Sequence, residues 1–122
     1  MVATFAMTML VCADVERCKH FYRNILELKI GTDAAPHWAD FELGNGGRLG
    51  LHPTTESLSV KPGSLQLGFY VDDVDRFITD ARTAGVRILQ DPHDETFGRL
   101  AVIADPDGYP IQIATPAKAA SS

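Results

Sequence analysis

The strongest constraint on how this chain folds is a repeat within it. Residues 14–17 read Asp-Val-Glu-Arg and residues 73–76 read Asp-Val-Asp-Arg, each closely after an apolar run, Met7–Cys12 and Leu65–Val71. Each aspartate opens a segment with apolar residues at helical spacing: Val15, Cys18, Tyr22 and Ile25, then Val74, Phe77, Ile78 and Ala81. Helices are therefore predicted over about 14–26 and 73–84, with Asp14 and Asp73 as N-caps and Gly85 ending the second. Strand-like pieces follow in the same order in both halves. Residues 28–30 match 86–89, residues 37–43 match 99–104, and residues 48–51 match 111–114. The turns before the final pieces, 44–47 and 105–108, are rich in residues that tolerate a tight or left-handed backbone. Each half reads strand–helix–strand–strand–strand, the first about 5–52 and the second about 65–115. A polar linker at 53–64 separates them, and the tail from Pro116 reads as frayed.

The chain has 122 residues, the length of one ordinary domain. Eleven Lys and Arg against sixteen Asp and Glu give a net charge of −5, the wrong balance for gripping phosphate backbones, so no nucleic-acid partner is expected. The apolar stretch from Phe5 to Ala13 is too short to cross a bilayer. No Lys or Arg precedes it and charged residues follow at once, which argues for a buried strand over a signal peptide. No membrane partner is expected. Cys12 and Cys18 lack metal-site spacing and read as packed thiols in a reducing cytoplasm.

Phe21, Tyr22 and Leu26 in the first helix, with Asp105-Pro106-Asp107-Gly108-Tyr109 and Ile111 before the last strand, carry a resemblance. On these motifs and the duplicated unit, residues 5–115 resemble the vicinal oxygen chelate superfamily of glyoxalase I, extradiol dioxygenases, fosfomycin-modifying enzymes and bleomycin-resistance proteins. The family helix motif usually continues with glycine after the leucine, and Glu27 stands there instead. The resemblance implies an α+β fold of two tandem β-α-β-β-β units, their curved mixed sheets forming a cup with the helices outside. Family enzymes hold a divalent metal in that cup with one side chain from the first and last strand of each unit, typically His or Glu. Carried over, those positions fall on Met7, Gly50 (or Leu51 after a one-residue slip), Gln66 and Gln112. A thioether, a glycine and two amides offer a hard cation no charge, so no metal or other cofactor is expected. His52, two residues from Gly50, cannot build a site alone. His20, His37 and His93 are expected on the helix, at a strand start and in a loop. The nearest branch is then the metal-free, bleomycin-resistance-like one.

Strand alternation assigns the cup's lining. Thr8 and Leu10 go under the helix, leaving Met7, Met9 and Val11 inward; Leu67, Phe69 and Val71 do so in the second half, leaving Gln66, Gly68 and Tyr70 inward. Ile111 and Ile113 face the helix and Gln112 the cup. Ala39, Phe41 and Leu43 make the better core face, so Trp38, Asp40 and Glu42 point inward, with Phe97, Arg99 and Ala101 lining the second half. The candidate ligand-binding residues are Met7, Trp38, Gln66, Tyr70, Phe97, Arg99 and Gln112, a mixture suited to a small planar or aromatic molecule. Met7 and Met9 read equally as core or dimer packing, and Arg99 as the partner of a carboxylate. No catalytic residues are singled out: Asp40 or Glu42 as base with Tyr70 as acid lacks any supporting motif, and Cys12 faces the helix. Three functions stay open: metal-free sequestration, a lyase, isomerase or dioxygenase-like enzyme with an atypical site, or a ligand-free structural dimer. A homodimer is expected because exposed sheet edges need cover.

Overall fold

A computed structural model describes residues 1–44 and 46–116. The chain forms two compact units that divide between Lys61 and Pro62. The first holds β1 (Thr8–Cys12), α1 (Val15–Asn24), β2 (Lys29–Ala34), β3 (Trp38–Glu42) and β4 (Arg48–Pro53). The second, after a 3-10 turn at Pro62–Ser64, holds β5 (Leu67–Tyr70), α2 (Val74–Thr83), β6 (Ile88–Glu95), β7 (Gly98–Ala104) and β8 (Pro110–Pro116). The sheets are ordered β1-β4-β3-β2 and β5-β8-β7-β6, so the two units share one topology. In each, the first and last strands pair in parallel and the remaining pairs are antiparallel. The α+β fold of two β-α-β-β-β units is as the repeat predicts.

Local chemistry explains the likeness. Asp14 and Asp73 cap their helices from extended backbone, accepting from Arg17 N at 3.2 Å and Arg76 N at 3.1 Å. Both helices then leave through a left-handed residue: Gly85 at φ 84° after α2, and Glu27 at φ 53° after α1. Glu27 thus occupies a conformation that favours glycine and carries the strain of its Cβ there. Asp105 Oδ1 accepts from the amides of Asp107 and Tyr109, each at 2.9 Å, and Gly108 takes φ 90°. The Asp-Pro-Asp-Gly-Tyr motif is a self-bonded turn that launches β8.

Each helix covers one face of its own sheet. Val15, Cys18 and Tyr22 are buried with Leu10, Cys12, Phe41, Leu49 and Leu51. In the second unit Val74, Ile78 and Ala81 are buried with Ala101, Ile103, Ile111 and Ile113. Both cysteines are free and buried. Polar ties add to the apolar contact: Lys19 reaches Asp33 at 3.1 Å, and Arg99 on β7 grips Asp75 on α2.

Two expectations need correction. β6 runs to Glu95 and includes His93, which was expected in a loop. Its ladder with β7 shifts register between Ile88 and Gln90 and again between Gln90 and His93, and Pro92 lies inside it, so the strand shows no clean alternation. The inward phase of β7 is also reversed. Arg99 and Ala101 lie on the helix-packed face, while Phe97 lies in the β6–β7 turn, 57% exposed. Leu100 to Ala104 are all apolar and buried, so their pattern assigns no phase, and a phase misread by one residue exchanges the two faces. Of the frayed tail expected from Pro116, Pro116 itself ends β8, paired with Gly98, and the rest lies outside the described residues. Among the described residues no helix is long and apolar enough to cross a membrane.

Candidate functional site

Each sheet has a second face, opposite its helix, and the two faces differ. On the first unit the cross-strand row Asp40–Gly50–Met9 runs over β3, β4 and β1. Trp38 sits beside it, half-buried, its ring 6.2 Å from that of His52 and edge-on to it. The indole Nε1 donates to Asp40 Oδ2 at 2.8 Å, and Asp40 Oδ1 accepts from Arg48 Nη1 at 2.8 Å and Thr32 N at 3.0 Å. Burial, the largest single influence, opposes ionisation of Asp40. The bond from Trp38, the Thr32 amide and the Arg48 charge together outweigh it and hold the carboxyl below its usual range. Asp40 is therefore a fixed anchor, held by three donors.

That anchor holds the indole against Gly50. A Cβ there would lie 2.5 Å from Trp38 Cη2 and 3.2 Å from Met9 Cγ, so Trp38 occupies the volume a side chain would need. Leu51 is fully buried on the helix face, which leaves Gly50 as the open-face residue at this level. A Cβ at Gly31 would collide with Asp40 Oδ1 and Arg48 Nη1. Two glycines thus make room for one Trp–Asp–Arg assembly.

On the second unit the corresponding row is Gln90–Val102–Gln112–Gly68, across all four strands. Next to it runs His93–Leu100–Ala114–Tyr70. Leu100, Val102 and Ala114 form a buried apolar cluster. Above them opens a cavity of about 410 Å³ bordered by Gln66, Gln90, Gln112, His93, Glu95 and the leucines at 89 and 100. A smaller hollow of about 220 Å³ continues along Gly68, Tyr70, Gln112 and Ala114. Nothing lies within 4 Å of a Cβ added at Gly68. At the rim His93 Nε2 is 3.2 Å from Glu95 Oε1.

Of the candidate ligand residues, the structure brings Gln66, Tyr70 and Gln112 together on this face. Trp38 lies on the open face of the other unit and Met7 just before β1. Arg99 does not join either. Its guanidinium bonds Asp75 through Nε at 2.7 Å and Nη2 at 2.9 Å, and Asp94 through Nη1 at 3.0 Å. The Arg99 bonds hold the Asp75 carboxyl below its usual range. Sequence reasoning missed Leu100, Val102, Gln90 and the His93–Glu95 pair. The repeat carries the signal for the first two: aligning 37–43 with 99–104 sets Leu100 opposite Trp38 and Val102 opposite Asp40, both inward.

A family model for the Glyoxalase/Bleomycin resistance protein/Dioxygenase superfamily matches residues 4–113. The chain belongs to this superfamily. Among solved structures, one similar to this chain is a protein of Agrobacterium tumefaciens determined by solution NMR, at 29% identity and TM-score 0.80. It covers 95% of this chain and 99% of its own. TnmS3 from Streptomyces sp. CB03234, an antibiotic binding protein, is 26% identical with TM-score 0.77, over 95% of this chain and 98% of that one. A lactoylglutathione lyase from Agrobacterium tumefaciens is 19% identical with TM-score 0.73, over 93% and 94%, a likeness of fold. The superfamily's enzymes imply a divalent ion at Met7, Gly50, Gln66 and Gln112. These residues do not fit one: they supply one thioether and two neutral amides, and the space for a donor at Gly50 is taken by the Trp38 ring.

Proposed function

We propose that the chain binds a small, planar, partly apolar organic molecule and sequesters it without using a divalent ion. One observation carries this reading: the second unit's open sheet face holds a cavity of about 410 Å³ with an apolar floor and glutamine amides where superfamily enzymes place charged ligands. A concave apolar surface with a few convergent polar groups is the usual form of a small-molecule site. The antibiotic-binding relative from Streptomyces supports the same class of activity. In this reading Gln66 and Gln112 orient the molecule, Leu100 and Val102 supply contact area, and Tyr70 offers a ring for stacking, worth about 1 kcal/mol beyond area. Met7 and Trp38 are proposed as apolar contacts on their own unit. We also place the protein in the cytoplasm, where its two buried thiols stay reduced, and as a homodimer that covers exposed strand edges.

Calorimetric titration of a panel of planar antibiotics and aromatic metabolites tests the reading, with product analysis alongside. Saturable binding without turnover, weakened when Val102→Arg fills the floor with a charge, is the expected result. No saturable binding by any compound, or turnover abolished by a chelator, overturns it. A mass in solution equal to one chain at all concentrations overturns the dimer.

A further inference from the structure

Three carboxamides, those of Gln66, Gln90 and Gln112, border one cavity, and among the described residues none of them has a protein hydrogen-bond partner. Gln90 and Gln112 flank Val102 in a single cross-strand row. Among the described residues no lysine or arginine borders the cavity. The nearby guanidinium groups are committed elsewhere, Arg99 to Asp75 and Asp94 on the other face, and Arg82 to Asp91. At the rim are the Glu95 carboxylate and the His93 imidazole, whose Nε2 lies 3.2 Å from Glu95 Oε1.

We infer that this site selects a ligand whose inner edge is uncharged and carries hydrogen-bond donors and acceptors together, and that it rejects anions. The inference rests on the binding reading above and specifies its ligand class. A primary carboxamide presents one carbonyl acceptor and two N–H donors, so three of them over an apolar floor leave groups unpaired unless the ligand offers both kinds. A bare hydrocarbon edge strands those amides as it desolvates them. A carboxylate or phosphate can accept from the amide N–H groups, but it brings a charge to a floor where the described residues set no lysine or arginine to offset its desolvation, beside the Glu95 carboxylate. A cyclic imide, a lactam or a hydroxy-carbonyl edge satisfies both requirements.

Three bicyclic probes of similar size separate these cases: quinazoline-2,4-dione, naphthalene and 2-naphthoate. Their dissociation constants are measured by calorimetry at fixed ionic strength, on the wild type and on Gln66→Leu, Gln112→Leu and Gln112→Arg, each checked for folding by circular dichroism. The dione is expected to bind tightest and 2-naphthoate weakest. Either leucine variant weakens the dione about tenfold and leaves naphthalene unchanged or tighter. Gln112→Arg reverses the preference toward 2-naphthoate. Because Gln66 is exposed, its variant stands even if one at Gln112 misfolds. If 2-naphthoate binds the wild type as tightly as the dione, or the leucine variants weaken dione and naphthalene alike, this inference fails while the binding reading stands. If no probe binds, both fail.

Discussion

Gly50 and Gly68 lie on the open faces of their respective sheets, and their surroundings are opposite. Gly50 has an indole where its side chain would be, whereas Gly68 faces open space. The difference follows from what fills rows of matching register, in which Gly50 corresponds to Gln112 and Met9 to Gly68. The first unit sets Trp38 and Asp40 where the second sets Leu100 and Val102, and His52 where the second sets Ala114. A buried aspartate needs donors, and Trp38, Arg48 and Thr32 supply them by closing over the sheet. A valine at the matching position needs nothing, so the second face stays open. One backbone topology therefore carries an indole over the glycine of one open face and a hollow on the other, and the choice is made by side-chain volume and polarity at a few inward positions.

The largest test of this contrast moves the charge from one unit to the other. Val102→Asp puts a carboxylate at a nearly buried position where Pro110 replaces the arginine of the first unit. Unfolding by denaturant should show a loss of about 3 kcal/mol. A loss below about 1 kcal/mol would mean the two positions are not in contrasting environments. Next comes volume. Gly50→Ala must push the indole aside and should cost about 2 kcal/mol, whereas Gly68→Ala meets nothing and should be neutral or stabilising by about 0.5 kcal/mol. Equal effects at the two glycines would break the comparison.

Acidification probes the anchor. The folded carboxyl of Asp40 lies below its unfolded value, so its contribution is complete above the ordinary 3.8 and is lost as pH falls through the depressed folded value. Unfolding curves of the wild type should lose this increment on acidification, and Asp40→Asn, already less stable by about 1.5 kcal/mol at neutral pH, should lack that part of the pH slope. The helix exits offer a smaller and opposite effect. Glu27→Gly gives α1 the residue that α2 already has in Gly85 and should stabilise by about 1 kcal/mol, read as a higher Tm. Smallest of all, Arg99→Ala removes exposed ion pairs on the helix side of β7 and should leave the affinity of any cavity ligand unchanged. A weakened affinity would restore Arg99 to the site.

How much could be read in advance depended on which physics was local. Asp14 and Asp73 announce helix starts because a cap forms within four residues of chain. The parity of β1, β5 and β8 was legible from clean alternation, and it placed Gln66, Tyr70 and Gln112 on one face. The same reasoning failed at β7, because Leu100 to Ala104 are apolar and buried without interruption, so alternation there assigns no phase. It failed at β6 because bulged pairing around Gln90 and His93 hides a strand among polar residues.

By itself the sequence determined the two-fold repetition, the order of elements in each unit, the caps and turns, and the chemical poverty of the metal-ligand positions. These depend on contacts between near neighbours or on residue type alone. The tertiary structure decided that Trp38 lies over Gly50, that Asp40 is an anchor, that Arg99 faces its helix, and that Gln66, Gln90 and Gln112 share an unfilled cavity. Those outcomes depend on which strands pair and in what register, and register is a property of the assembled sheet, where a shift of one residue exchanges the two faces.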